Sequence, residues 1–202
     1  MESRVTHSEM LTADCCKRFT AIRCAAKTEN TRLIASSDAN AVSDAFSALS
    51  SDPNNPLLNR AISQRYAPGS TFKVVSSLAL LRSGLRPDST VQCPATMQIG
   101  DRTLKNYDGY PADKTGSITL TQAVANSCNT AFGTNADKVS QEKLQQAAAT
   151  LGVGTDYDAG FASNFGKVQS ADAPFDLSLS MIGQGGIEMS PLGMASVSAS
   201  VA

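Results

Sequence analysis

The sequence predicts an α+β domain. Residues 70–83, "STFKVVSSLALLRS", form an almost wholly apolar run of helical length, stopped by Gly84 and Pro87. Residues 89–108, "STVQCPATMQIGDRTLKNYD", read as a hairpin with Gly100-Asp101 at its turn. Near the end, Ser190 followed by Pro191 marks the start of a further helix that is still running at Ala202. Helices and an antiparallel hairpin in one chain are the elements of the mixed class.

The remaining elements follow in order. Residues 1–35 are basic and cysteine-rich and follow neither a strand nor a helix period, so they are expected to be disordered and to stand apart from a domain over 36–202. Residues 36–56 are rich in Ser, Asp and Asn, with a short helical pattern at Ala41, Val42, Ala45, Phe46 and Leu49. Residues 57–69 read as a loop ending in Pro68-Gly69. A short helix is expected over 118–126, capped near Ser117 or Thr119. A second begins after Asn129 or Asn135 and runs to Leu151, with Gly152 closing it. Residues 152–175 are a Gly- and Asp-rich loop, and 183–186 another.

Composition narrows the function classes. Of 202 residues, 42% are apolar and 17% charged, and the net charge is −1, which gives no electrostatic case for nucleic acid as a partner. There is no apolar run of about eighteen residues to span a bilayer. The start of the chain lacks the apolar core of a signal peptide. Five cysteines (15, 16, 24, 93 and 128) and one histidine show no metal-ligand spacing, and an odd count suggests no disulfide framework, so the cysteines read as free thiols and no metal or cofactor is expected.

The chemistry-bearing stretch is "YAPGSTFKVV". Ser70 and Lys73 are three apart, on one helical face, so the lysine reaches over the serine hydroxyl. A serine hydroxyl is a weak nucleophile without a neighbouring base. A lysine serves as that base only when neutral, and burial at the start of an apolar helix lowers its pKa. The same residues also fit an ordinary capped helix with a snorkelling lysine. "ANSCNTAF" adds Ser127 and Asn129: a second hydroxyl able to relay a proton, and an amide able to hold both the lysine and a substrate carbonyl.

Taken in order, "NPLLNRAISQRYAPGSTFKVV", "VQCPATMQIGDRTLKNYDGY", "TLTQAVANSCNTAFG" and "MIGQGGIEMSPLGMASVSASVA" resemble successive segments of a class B penicillin-binding protein transpeptidase domain of actinobacterial type. The resemblance covers about residues 36–202. It implies a β-lactamase-like fold, an antiparallel sheet backed by helices with a helical subdomain, here incomplete because much of the sheet is missing. It implies serine acyl transfer on peptidoglycan stem peptides or a lipid-linked precursor, acylation by β-lactams, and a cell-wall glycosyltransferase as a partner. By the same resemblance Ser70 is the nucleophile, Lys73 its base, and Ser127 and Asn129 the second motif, with Ser127 passing the proton to the leaving amine. The family is membrane-anchored with this domain outside the cytoplasm.

Two departures bear on activity. The family carries a third motif, Lys-[Thr/Ser]-Gly, on an inner strand after the second motif. Lys114-Thr115-Gly116 precedes Ser127 and lies in a Pro/Asp/Gly setting, so it reads as an exposed loop remote from Ser70. The expectation is then a chain truncated at both ends, with only Leu33-Ile34-Ala35 left of the strands that precede the serine, and impaired in acyl transfer for want of an oxyanion donor. The alternatives are a non-catalytic remnant of a broken gene, and a β-lactamase or β-lactam sensor-like domain. The last is weakened by the lack of a deacylating glutamate or carboxylated-lysine motif.

Overall fold

Asp38 accepts hydrogen bonds from the backbone N–H groups of Asn40 and Ala41 and so starts α1, Ala39–Ser51. The structure, a computed structural model, describes residues 37–155, 158–171 and 173–202, so the expectations for residues 1–35 lie outside the described residues. The chain divides into two units, 1–58 and 59–202. Helix α1 belongs to the first. Of its apolar stripe, Leu49 is buried while Phe46 is exposed.

The second unit carries the other elements. They are α2 (Arg60–Ser63), α3 (Lys73–Arg82), β1 (Thr90–Cys93), β2 (Thr96–Ile99), β3 (Arg102–Lys105), β4 (Gly116–Thr119), α4 (Leu120–Ala125), α5 (Asn129–Thr134), α6 (Gln141–Thr150), β5 (Lys167–Val168), α7 (Pro174–Ser180), β6 (Ile187–Glu188) and α8 (Pro191–Val201). The strands pair antiparallel in three two-stranded ladders, β1 with β4, β2 with β3 and β5 with β6. The α+β class is what the sequence predicts.

Several boundaries differ from the sequence reading, each for a local reason. Residues 57–69 are not all loop, because Asn59 caps Ala61 N–H and nucleates the single turn of α2. The run 70–83 opens as a 3₁₀ turn, Gly69–Phe72, before becoming α-helical at Lys73. Neither of the two starts left open for the helix up to Leu151 holds: α5 begins at Asn129 but ends at Thr134, and the next α-helix, α6, begins past Asn135, where Ser140 caps Lys143 N–H. Helix α7, not foreseen in the Gly-rich stretch, begins at Pro174, whose fixed φ suits a first helical position. The hairpin lies over β2 and β3 with Gly100 at positive φ in its turn, but β1 leaves it to pair with β4. Thr119 starts α4 with a full capping box to Gln122.

One contiguous core fixes the site. It includes Phe72, Val75 and Leu80 of the Ser70 segment, Phe132 of α5, Leu144 of α6, and Met181, Ile187 and Met189. Helix α3 packs against α6 and α8, and α5 against β1. The Ser70 turn is tied to the 181–189 segment by hydrogen bonds from Gly69 N–H to Gly183 O, 2.9 Å, and from Ser76 Oγ to Met181 O, 2.8 Å, and by the Tyr66–Met189 bridge. Gly183 has φ +70°, and a Cβ there would overlap the Gly69 carbonyl. Close backbone approach therefore requires glycine at this position.

The expectation of free thiols is corrected at Cys93 and Cys128, which form a disulfide. Pairing β1 with β4 and packing α5 on β1 brings two cysteines 35 residues apart to a Cα separation of 6.3 Å. No count of cysteines reveals that proximity.

Candidate active site

The site starts from one buried cation. Lys73 is 3% exposed at the first turn of α3, and its ammonium points out of the helix toward the α4–α5 junction. Nζ donates to Asn129 Oδ1 at 2.6 Å, Ser127 O at 2.8 Å, Ser127 Oγ at 2.9 Å and Ser70 Oγ at 3.2 Å. The ring of fully buried Phe132 lies 5.4 Å from Nζ. Burial pushes the Lys73 pKa down from 10.5 to about 8.

This acceptor set decides where a lone pair would point. Ser127 O and Asn129 Oδ1 only accept, so each takes an N–H of Lys73. Asn129 cannot flip its amide without loss, because its Nδ2 donates to Lys105 O at 3.1 Å. The remaining tetrahedral direction of Nζ faces the two hydroxyls, Ser70 Oγ and Ser127 Oγ. When Lys73 is neutral its lone pair serves one of these, which is the geometry of a general base. Ser70 itself is exposed, so its hydroxyl is open to solvent while its base is not.

Ser127 reaches the lysine through an unusual backbone. It has φ +56°, the left-handed region. Ser127 N–H bonds to Val124 O and Cys128 N–H to Ala123 O, so helix α4 ends in a Schellman motif with serine where glycine is normal. A non-glycine residue there is disfavoured by about 1–2 kcal/mol. The conformation aims Ser127 O and Oγ at the same ammonium.

All four residues singled out in the sequence, Ser70, Lys73, Ser127 and Asn129, are thus brought together. The sequence reading missed what stands behind them: the Cys93–Cys128 disulfide and Asn106, a buried side chain whose Oδ1 accepts from Thr130 N–H at 3.1 Å. The "S-C-N" of the motif was the available signal. Lys114-Thr115-Gly116 takes no part in the hydrogen bonding of the four site residues. Lys114 ends an exposed 3₁₀ turn and pairs with Asp113 at 3.5 Å. Its loop setting needs one correction: Gly116 opens β4, opposite Cys93. Among the described residues, no three His, Cys, Asp or Glu side chains are grouped to hold a metal ion.

Comparison with known proteins gives the context. Residues 20–202 match the family model of the penicillin binding protein transpeptidase domain. The chain is 38% identical over 176 residues to the peptidoglycan D,D-transpeptidase PbpA of Mycolicibacterium smegmatis, covering 84% of this chain and 35% of the relative. The Mycobacterium tuberculosis PbpA is 31% identical over 177 residues, with the same coverage. The chain therefore spans about a third of the length of the curated relatives it matches. Among solved structures, the ceftriaxone acyl-enzyme complex of M. tuberculosis penicillin-binding protein A superposes with a TM-score of 0.75 at 29% identity, covering 84% of this chain and 39% of that one. The complex of Helicobacter pylori PBP2 with MreC superposes at 0.65 and 25% identity, covering 75% and 30%.

Proposed function

We propose, from the premise that this chain belongs to the class B penicillin-binding protein transpeptidase domains, that it carries the serine acyl-transfer site of a peptidoglycan D,D-transpeptidase acting in cell-wall synthesis. The supporting observation is that buried Lys73 hydrogen-bonds to Ser70, Ser127 and Asn129 at once.

Neutral Lys73 takes the Ser70 proton as Oγ attacks the carbonyl carbon of a stem-peptide amide. The C–N bond then breaks. The proton passes from Lys73 through Ser127 Oγ to the departing amine, leaving the acyl group as an ester on Ser70. An acceptor amine from a second stem peptide attacks that ester: the new C–N bond forms, the acyl C–O bond breaks, and the amine's proton passes through Lys73 to Ser70 Oγ, which restores the hydroxyl. Asn129 Oδ1 holds an N–H of Lys73 in both its neutral and its protonated form, and the relay is short because both hydroxyls lie within 3.2 Å of one nitrogen. A β-lactam enters by the same attack on its ring amide. The glycan strands that bear the stem peptides are polymerised from lipid-linked precursor by a glycosyltransferase, so an enzyme of that class in the cell-wall machinery is the proposed partner.

The domain works outside the cytoplasm, on a membrane-anchored protein. A disulfide in the core of the site favours an oxidising compartment. Among the described residues no helix is long and apolar enough to cross a membrane.

Intact-mass spectrometry after incubation with penicillin G tests the reading. A single adduct, mapped to Ser70 and lost in Ser70→Ala, is expected. An unmodified protein, or an adduct that persists in Ser70→Ala, overturns it and leaves a non-catalytic domain.

A further inference from the structure

Residues 127–130 divide by parity. Ser127 and Asn129 turn their polar atoms to Lys73. Cys128 and Thr130 turn the other way, into fully buried surroundings. Cys128 is cross-linked to Cys93 at the end of β1, and its Sγ accepts the Ala131 N–H at 3.3 Å, capping α5. Thr130 Oγ1 donates to Pro94 O at 2.6 Å. Asn106, 6% exposed just past β3, accepts from Thr130 N–H at 3.1 Å and donates from Nδ2 to Pro94 O at 3.3 Å. The 93–94 segment and Asn106 thus hold the turn from behind, and neither is among the hydrogen-bond partners of the Lys73 ammonium.

The turn needs such a hold. Ser127 occupies a left-handed backbone that glycine would adopt freely, and a residue in that state persists only where its surroundings over-determine it. Helices α4 and α5 have 6 residues each, too short to enforce a junction by themselves.

We propose that the Cys93–Cys128 disulfide and Asn106 are positioning groups for acylation: they fix the 127–130 turn so that Ser127 and Asn129 meet Lys73, and they make the reactivity of Ser70 depend on the oxidation state of a disulfide that does not touch it. The proposal rests on the acyl-transfer reading above. Reduction adds two electrons and two protons, breaks the S–S bond and leaves two thiols. With tris(2-carboxyethyl)phosphine the phosphine supplies the electrons and becomes the phosphine oxide, its oxygen drawn from water. The freed turn then relaxes toward ordinary backbone angles and withdraws its acceptors from the lysine.

The test uses the full chain oxidised, reduced and reoxidised, with Asn106→Ala as a second variant that keeps the disulfide. Saturation kinetics with a fluorescent penicillin separate the encounter-complex Kd from the first-order acylation constant. Reduction and Asn106→Ala are each expected to lower the first-order constant by about 10- to 100-fold while Kd stays within about threefold, because misplacing a catalytic group costs rate rather than encounter. Reoxidation restores the rate. An unchanged first-order constant in Asn106→Ala and in reduced, still folded protein overturns the proposal. Should the reduced chain unfold, Asn106→Ala alone decides. If even the oxidised chain forms no adduct, the acyl-transfer reading falls, and amide hydrogen exchange decides the positioning claim separately. Faster exchange at 127–131 on reduction or in Asn106→Ala, with α6 unchanged, supports it, and equal protection overturns it.

Discussion

Asn129 holds Lys73 more closely than the serine does: Oδ1 lies 2.6 Å from Nζ, against 3.2 Å for Ser70 Oγ. The amide is neutral, so it orients the lysine without adding charge to the site. Asn129→Asp would place a carboxylate in that position and favour the ammonium, opposing the burial that lowers the pKa. The ascending limb of the acylation rate, along which Lys73 loses its proton, is expected to move to higher pH, and the rate near neutral pH to fall by about tenfold for each pH unit moved. Acylation of wild type and variant by a fluorescent penicillin from about pH 6 to about pH 10 measures this. A limb that stays put would show that Asn129 does not set the lysine's protonation.

The lowered pKa of Lys73 also links stability to pH. The folded lysine titrates at about 8 and the unfolded one near 10.5, because burial disfavours the charged form. Below about 8 both states hold the proton and the burial cost is fully present. Between the two values the unfolded state binds more protons, so stability rises with pH. Tyr110, whose phenol burial and Tyr107 push up, acts in the opposite sense, but only at the alkaline end of that window. Urea unfolding at a series of pH values is expected to show a rise above about pH 8 that Lys73→Met lacks. Parallel curves for the two proteins would contradict the burial argument.

Ser127 separates stability from function at one position. Its left-handed backbone favours glycine, while its hydroxyl serves Lys73. Ser127→Gly is expected to be more stable than Ser127→Ala by about 1 kcal/mol, since both lose the hydroxyl and only alanine keeps the strain. Both should acylate slowly. Thermal melts and acylation rates of the two variants check the pair of statements together. Equal melting temperatures would mean that the turn is not strained.

How far the sequence revealed this site depends on whether each feature is local. Ser70 and Lys73 are legible because a three-residue spacing is a helical relationship readable from the chain. Ser127 and Asn129 are legible as a motif, but not their geometry, since a serine in a glycine position carries no local mark. The disulfide is set by the pairing of β1 with β4 and the packing of α5 on β1, which are non-local. The division at Ser140 was within reach, because a serine ahead of Gln141-Glu142 is a helix-start signal. Helix α7 was hidden by the Gly- and Asp-rich text before it, although Pro174 suits a first helical position.

The hold on Ser70 from the other side gives the last prediction. Gly69 donates its N–H to Gly183 O at 2.9 Å, one residue before the nucleophile, and both glycines have positive φ. A methyl group at Gly183 meets the Gly69 carbonyl and Phe72 Cβ, neither of which can move without shifting the turn that carries Ser70. Gly183→Ala is therefore expected to destabilise the domain by about 2–4 kcal/mol, combining overpacking with backbone strain. Folded Gly183→Ala should also acylate more slowly, because displacing Gly69 moves Ser70 away from Lys73 Nζ. Gly185 provides the control. It too has positive φ, but its nearest neighbour would be Leu179 Cβ at 3.5 Å, an ordinary contact, so Gly185→Ala carries the backbone strain without the overlap. Chemical unfolding of both variants, with acylation rates measured at a temperature where both are folded, separates strain from displacement. Equal losses in the two would show that the Gly69–Gly183 approach does not position the serine.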